Sequence, residues 1–344
     1  MAVRAFITGL AGTTLSPAER AFVREREPWG FIIFKRNVET PSQLSRLIAS
    51  VRDAVGRDAP VLVDQEGGRV QRLGPPHWPS YPPGAVYGRL YDRDTADGIR
   101  AAHLGARLIA ADLAAVGIDV DCLPLADVPA NGADPIIGDR AYGQSAEKVA
   151  VLARAVADGL LAGGVLPVLK HIPGHGRATA DSHHALPVVE TDHETLMKSD
   201  FVAFRPLSDL PLGMTAHVVY TAIDPIAPAT TSVTLVRDVI RGWLGFTGLL
   251  MSDDISMGAL SGSIEARTRS AIAAGCDLVL HCCGELAEMQ AVASAVPVLT
   301  GEAAARADAA LSRRGQVRKD DLAALRAEWG ALINAGATAR RATS

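Results

Sequence analysis

Short apolar runs alternate with longer amphipathic stretches along almost the whole chain. The runs Ala5–Leu10, Gly30–Phe34, Pro60–Asp64, Ile118–Leu123, Val165–Lys170, Leu212–Val218, Gly248–Ser252 and Asp277–His281 read as buried strands. Between them, apolar residues at helical spacing predict helices over Pro41–Val55, Thr95–Val116, Ala146–Leu161, His193–Leu207, Ser232–Leu244 and Ser263–Ala274. Pro17 and Pro41 follow Ser16 and Thr40, a capping residue and then a proline, which marks a helix start. Eight strands alternating with helices predict a single-domain α/β fold, a (β/α)8 TIM-type barrel. A doubly wound open sheet is the competing architecture. The barrel domain, with Ala-rich C-terminal helices closing it, is expected over residues 1–337, and Thr338–Ser344 as a frayed tail.

Composition narrows the function classes. The chain has 344 residues, 48% hydrophobic and 21% charged, ordinary values for a globular protein with a sizeable core. A net charge of −4 offers no general attraction to nucleic acid or an anionic membrane, so neither partner is expected. No apolar stretch has the length of a bilayer span, and the start lacks the apolar run of a signal peptide. Cys122, Cys276, Cys282 and Cys283 form no Cys-x-x-Cys pair and fit reduced thiols in the cytoplasm. Zinc held by Cys282 and Cys283 together is not expected, because adjacent strand side chains point to opposite faces.

Polar residues gather where the predicted strands end, the place from which barrel chemistry comes. Strand three runs into Asp64-Gln65-Glu66-Gly67-Gly68-Arg69-Val70-Gln71-Arg72, and strand four leads through Asp127 to Gly138-Asp139-Arg140. Strand five ends in Lys170-His171, strand six in Thr215-Ala216-His217 and strand seven in Ser252-Asp253-Asp254. Gly67-Gly68 reads as a tight turn that aims Arg69 and Arg72 apart. Four of the nine histidines fall between His171 and His184, in a segment where Pro173, Gly174 and Gly176 impose a loop. Gly174–Ala180, rich in small residues, is expected to be mobile for want of packing, and to carry His183.

His171 and His175 have the spacing of a helical metal pair, but the intervening Pro173-Gly174 denies them a helix. A metal held by His171, Asp181, His183 and Asp253, as in metal-dependent barrel hydrolases, is one alternative. A non-catalytic sugar-binding protein is another. Of Asp253 and Asp254, one would do chemistry while the other caps the following helix. A carboxylate at a strand end with a separate proton donor meets the needs of retaining glycoside hydrolysis. An imidazole beside Asp181 suits the donor, since the carboxylate favours its charged form and fixes its tautomer.

Lys170-His171-Ile172-Pro173-Gly174-His175-Gly176 followed by Asp181-Ser182-His183 closely resembles the signature of family-3 glycoside hydrolases that are β-N-acetylglucosaminidases. The blocks Asp64–Arg72, Gly138–Arg140 and Ser252–Met257 resemble the family's other blocks in the same order. The likeness runs from about Gly9 to Cys282 and departs at Ile172, where phenylalanine is common. It implies a metal-free and cofactor-free double displacement, with Asp253 as nucleophile, His183 as proton donor and acceptor, and Asp181 orienting it. It also implies that Asp64, Arg72, Arg140, Lys170 and His171 hold the sugar. The chain ends after the expected barrel, a compact form resembling cytoplasmic bacterial enzymes of cell-wall recycling. These take β-1,4-linked N-acetylglucosamine from anhydromuramyl peptides, so a small-molecule muropeptide substrate and a monomer are expected.

Overall fold

The computed structural model describes residues 2–342. Eight parallel strands close on themselves: β1 Arg4–Gly9, β2 Pro28–Ile33, β3 Val61–Val63, β4 Val120–Asp121, β5 Leu166–Ile172, β6 Leu212–Thr215, β7 Leu249–Asp254 and β8 Leu278–His281. They follow one another around the barrel in chain order, and Phe6 of β1 pairs with Val279 of β8 to complete the ring. The predicted TIM-type barrel is therefore the fold, and the open-sheet alternative is excluded. Every residue of β2, β3 and β5 is buried, as expected for parallel strands covered by helices outside and packed side chains within.

The helix-start signals act as read. Ser16 accepts from the Glu19 amide while the Glu19 side chain accepts from the Ser16 amide, with Pro17 in the first turn. Thr40 caps Pro41–Val55 in the same position, and Gly56 ends that helix in the left-handed conformation at φ 70°. Three expectations need correction, the first being Ser232–Leu244, which is wound as a π-helix over Leu235–Trp243. The stretch His193–Leu207 is not one helix but a single α-turn at His193–Thr195, a π-helical turn at Leu196–Asp200 and 3-10 turns at Phe201–Ala203 and Arg205–Leu207. Pro206 has no amide to continue the ladder. The wider turn presents buried Asp200 to Arg177 of the β5 loop, 2.7 Å away. A further correction is β4, which is shorter than Ile118–Leu123 because the Leu123 amide turns back to the Asp121 carbonyl instead of the neighbouring strand.

The last helix, Leu322–Ala342, lies against Thr95–Ala114, with Glu328 paired to Arg100 at 2.7 Å and Trp329 beside the Tyr81 ring. It runs through Thr338–Ala342 of the expected tail; Thr343 and Ser344 lie outside the described residues. No helix among the described residues is long and apolar enough to cross a membrane.

Charged residues at the opposite mouth of the barrel fasten strands together. Asp277, just before β8, accepts from the Leu250 amide of β7 (2.9 Å), Arg241 (2.7 Å) and Arg306 (2.8 Å). Asp119, just before β4, likewise accepts from the Val61 amide, Arg52 and Arg314. Conservation of the fold rather than chemistry is the business of this end. Replacing Asp277 by Ala strands two guanidinium groups and a buried amide, so we expect a loss of about 3–5 kcal/mol in denaturant unfolding. The KM of the variant at permissive temperature should stay unchanged; a shift in KM with intact stability would contradict this division.

Candidate active site

The C-terminal ends of the strands surround a cavity of about 460 Å³. Its floor is a chain of alternating charges built from three loops. Arg72 donates to Asp64 (2.9 Å), Asp64 accepts from Lys170 (3.0 Å), Lys170 meets Glu66 (2.6 Å), and Glu66 is clamped through both oxygens by Arg140 (2.8 Å each). The parts come from the end of β3, the hairpin Gln65–Gly67/Val70–Gln71 after it, the end of β5, and the turn Gly138–Arg140 after β4. The hairpin can turn because Gly67 and Gly68 sit at φ 90° and 59°, and a Cβ on Gly67 would stand 2.4 Å from the Pro82 carbonyl. As expected, Arg69 is aimed apart from Arg72, at Asp139 and the Pro135 carbonyl, while still lining the cavity.

Burial by itself would raise the carboxyl pKa values, but Lys170 with Arg72 holds Asp64 far below the usual range, and Lys170 with Arg140 holds Glu66 down to about 2. Lys170, despite burial that opposes its charge, is pushed upward by Glu66 and Asp64. Asp64, Glu66 and Lys170 are therefore ionised, with Arg72 and Arg140 closing the series; of the two further carboxylates on the cavity wall, Asp253 and Asp254, one accepts a single hydrogen bond among the described residues.

That carboxylate is Asp253, at the end of β7. Among the described residues its one hydrogen bond comes from the Asp254 amide to Oδ1 (2.7 Å). Burial alone would raise its pKa; His217, His171, that amide and Lys170 reverse the sign, and the net shift is downward. His217 is itself held below its ordinary value by burial, so the Lys170 ammonium is the permanent charge of the set. The neighbour Asp254 is occupied differently: Oδ1 accepts from the amides of Ser256 (3.0 Å) and Cys282 (3.1 Å), and Oδ2 from the Ser256 hydroxyl (2.6 Å). Its carbonyl accepts from His217 Nε2–H (2.9 Å). Asp254 fastens the turn, and Asp253 is left to the cavity.

His171 presents its ring to the cavity with Nδ1 held 2.8 Å from Asp127 Oδ2. Asp127 is completely buried, yet His171 and His175 hold its carboxyl down to about 2. Its Oδ1 also accepts from the His175 amide (2.6 Å), and the His175 ring reaches on to the Ser182 hydroxyl (3.2 Å). Ser182 adjoins His183, whose Nδ1 lies 2.7 Å from Asp181 Oδ1; the same oxygen accepts the His183 amide (2.9 Å). His183 lines the cavity with 59% of its side chain exposed, and hydrogen bonds from His183 hold the Asp181 carboxyl low despite some burial.

Every residue expected to hold the sugar, Asp64, Arg72, Arg140, Lys170 and His171, thus lines one cavity with Asp253 and His183, while Asp181 stands behind His183. The alternative metal set His171, Asp181, His183 and Asp253 is not gathered to coordination distance among the described residues. The expected lack of packing at Gly174–Ala180 is corrected: Gly174, His175, Gly176 and Ala178 are buried, Ala130 N–H donates to the Gly176 carbonyl (2.9 Å), and a Cβ on Gly176 would meet Val128 at 2.0 Å. Exposure is concentrated further along, at Thr179 and from His183 to Leu186. Glu66, Asp127, His175 and His217 were given no role from the sequence.

Residues 9–315 match the Glycosyl hydrolase family 3 N terminal domain. A beta-hexosaminidase of Alkalilimnicola ehrlichii is 40% identical over 278 residues, 80% of this chain and 79% of that one. One from Bordetella pertussis is 38% identical over 283 residues, covering 81% and 80%. The crystal structure of NagZ from Neisseria gonorrhoeae with N-trifluoroacetyl-D-glucosamine superposes with a TM-score of 0.86 at 29% identity, over 97% of this chain and 98% of that one. The chain belongs to glycoside hydrolase family 3. Within it, the chain is an enzyme of the beta-hexosaminidase type.

The buried histidine sets an acid limit on the site. Burial and the neighbouring His171 push His175 down to about 4, whereas the unfolded chain takes up that proton near 6.5. The unfolded state then binds more protons between those values, so stability should fall as pH drops through that window. Glu66 and Asp127, both at about 2, should extend the loss below pH ~4. Thermal melts across the acid range should show a shallower upper slope in His175→Gln; an identical slope would assign the effect to other groups.

Proposed function

We propose that the enzyme is a retaining exo-β-N-acetylglucosaminidase that removes terminal β-1,4-linked N-acetylglucosamine from anhydromuramic acid-containing wall fragments, acting as a cytoplasmic monomer. The observation that carries the reading is the division of labour between the adjacent aspartates. Asp254 is consumed by three donors, whereas Asp253 faces the cavity, ionised and singly bonded.

In this reading the non-reducing sugar rests on Asp64, Arg72, Arg140, Lys170 and His171. Asp253 attacks the anomeric carbon from the face opposite the leaving oxygen, forming an α-linked glycosyl ester. His183 Nε2–H gives its proton to that oxygen as the bond breaks, while Asp181 at Nδ1 fixes the tautomer and supports the imidazolium. His183 then takes a proton from water, and the hydroxide displaces Asp253 with return of the β configuration.

An imidazole donor suits an acidic aglycone. The lactyl carboxylate of a muramic residue would repel a second carboxylate placed beside the scissile bond, in addition to Asp253. Arg36, Arg69 and Arg72 on the cavity wall supply positive charge on a chain whose net charge is −4, which supports an anionic leaving group. Relatives and neighbours named beta-hexosaminidase and NagZ support the amino-sugar part of the proposal.

Asp253→Asn should lower kcat by at least ~10³-fold with the melting temperature retained. A fluorinated N-acetylglucosaminyl donor that traps glycosyl-enzymes should label the Asp253 side chain in peptide mass spectra. Label on Asp254 instead would overturn the assignment.

Loss of His183 should hurt substrates according to how much their leaving group needs a proton. His183→Ala should cost on the order of 10²–10⁴-fold on a sugar aglycone. Glycosylation by a dinitrophenyl donor should be nearly spared, with the intermediate accumulating as a burst. Azide should relieve that block and yield the β-glycosyl azide. Equal losses on both substrates without azide rescue would remove His183 from proton transfer.

A further inference from the structure

We propose that the end of β8 carries an exchangeable binding site for a zinc-class divalent cation on the wall of the cavity, formed by His281, Cys283 and Glu288. His281 is the last residue of β8 and completely buried, Cys283 lies two residues on, and Glu288 stands in the first turn of the helix Leu286–Ala295. His281 Nε2 and Glu288 Oε2 are 2.9 Å apart, and Cys283 Sγ is 3.2 Å from each. These are the three donor atoms among the described residues that could surround one ion. The turn between strand and helix permits this approach through Gly284 at φ 79°, where a Cβ would stand 2.6 Å from the Leu10 backbone.

The donors fit a particular class of ion. Tetrahedral zinc, with bonds of about 2.0–2.1 Å to nitrogen and oxygen and about 2.3 Å to sulfur, spaces its ligand atoms about 3.3–3.6 Å apart. The triangle needs to open by only a few tenths of an ångström. One nitrogen, one sulfur and one oxygen suit zinc or cobalt and exclude calcium and magnesium, which require oxygen ligands. Adjacent cysteines could not share an ion, but the alternate residues His281 and Cys283 can, with the helix completing the set.

Without an ion, the thiol and Nε2–H both point at Glu288. Binding replaces those two hydrogen bonds: the Cys283 proton passes to solvent, and the imidazole ligates through Nε2 with its proton on Nδ1. That atom is buried without a partner, so the site lacks the support that tightens metal-bound histidines by 10–100-fold, and it exchanges its ion. Three protein donors leave a fourth position. Cys283 lines the cavity, so that position opens toward cavity water or an anionic ligand group. The adjoining Cys282 amide is bonded to Asp254 (3.1 Å), next to Asp253.

The test is titration of the full-length protein with cobalt(II), followed by absorption. A thiolate-to-cobalt charge-transfer band should rise and saturate at one ion per chain, and zinc should abolish it. Cys282→Ser should keep the band, Cys283→Ser should lose it, and Glu288→Gln should need more cobalt for half-saturation, with thermal melts reporting that each variant is folded. Cobalt bound without that band, a band surviving in Cys283→Ser, or one lost in Cys282→Ser would overturn the proposal. Unchanged half-saturation in Glu288→Gln would do so as well.

Discussion

Lys170 keeps its charge with only 2% of its side chain exposed, held between Asp64 and Glu66. An ammonium so placed would lose its proton or unfold its surroundings without partners, since desolvating an isolated charge costs several kcal/mol. Each carboxylate that stabilises it is in turn fixed by an arginine, Arg72 on one side and Arg140 on the other. The loops after β3, β4 and β5 cannot move independently without breaking that series. Rigid placement of the charged groups on the cavity floor follows from it.

A similar series runs through the His183 side of the cavity by hydrogen bonds rather than permanent charges. Asp127 joins the β4 loop to His171 and His175, His175 reaches Ser182, and Ser182 precedes His183. Buried Asp127 thus connects the cavity floor to the base of the outer loop. The loop beyond it stays exposed, so its tip is free to adjust while its root is fixed.

Much of this was legible in the chain. Capping residues and proline placed the starts of Pro17–Arg26 and Pro41–Val55, because those signals act within one turn. Strand ends rich in charge located the cavity, and His183 with Asp181 was readable because a single residue separates them. What escaped depends on distant partners. Glu66 gains its role from Arg140 and Lys170, 74 residues away and more, and Asp127 from His171, 44 residues on. The π-turn at Leu196–Asp200 likewise answers to Arg177. Asp253 and Asp254 have one side-chain chemistry and are told apart by the donors that Ser256 and Cys282, just past β8, supply to Asp254.

Asp253 is carried by a barrel strand, whereas His183 rides on an exposed loop with 59% of its side chain in solvent. The two sides of the cavity therefore have different tolerance to change. Loop sequence can diverge among relatives without disturbing the strand ends, provided its buried root is kept. A ligand confined to the strand ends would address the rigid side of the cavity. Selectivity between relatives would come from substituents that grip the loop, at the entropic cost of ordering it.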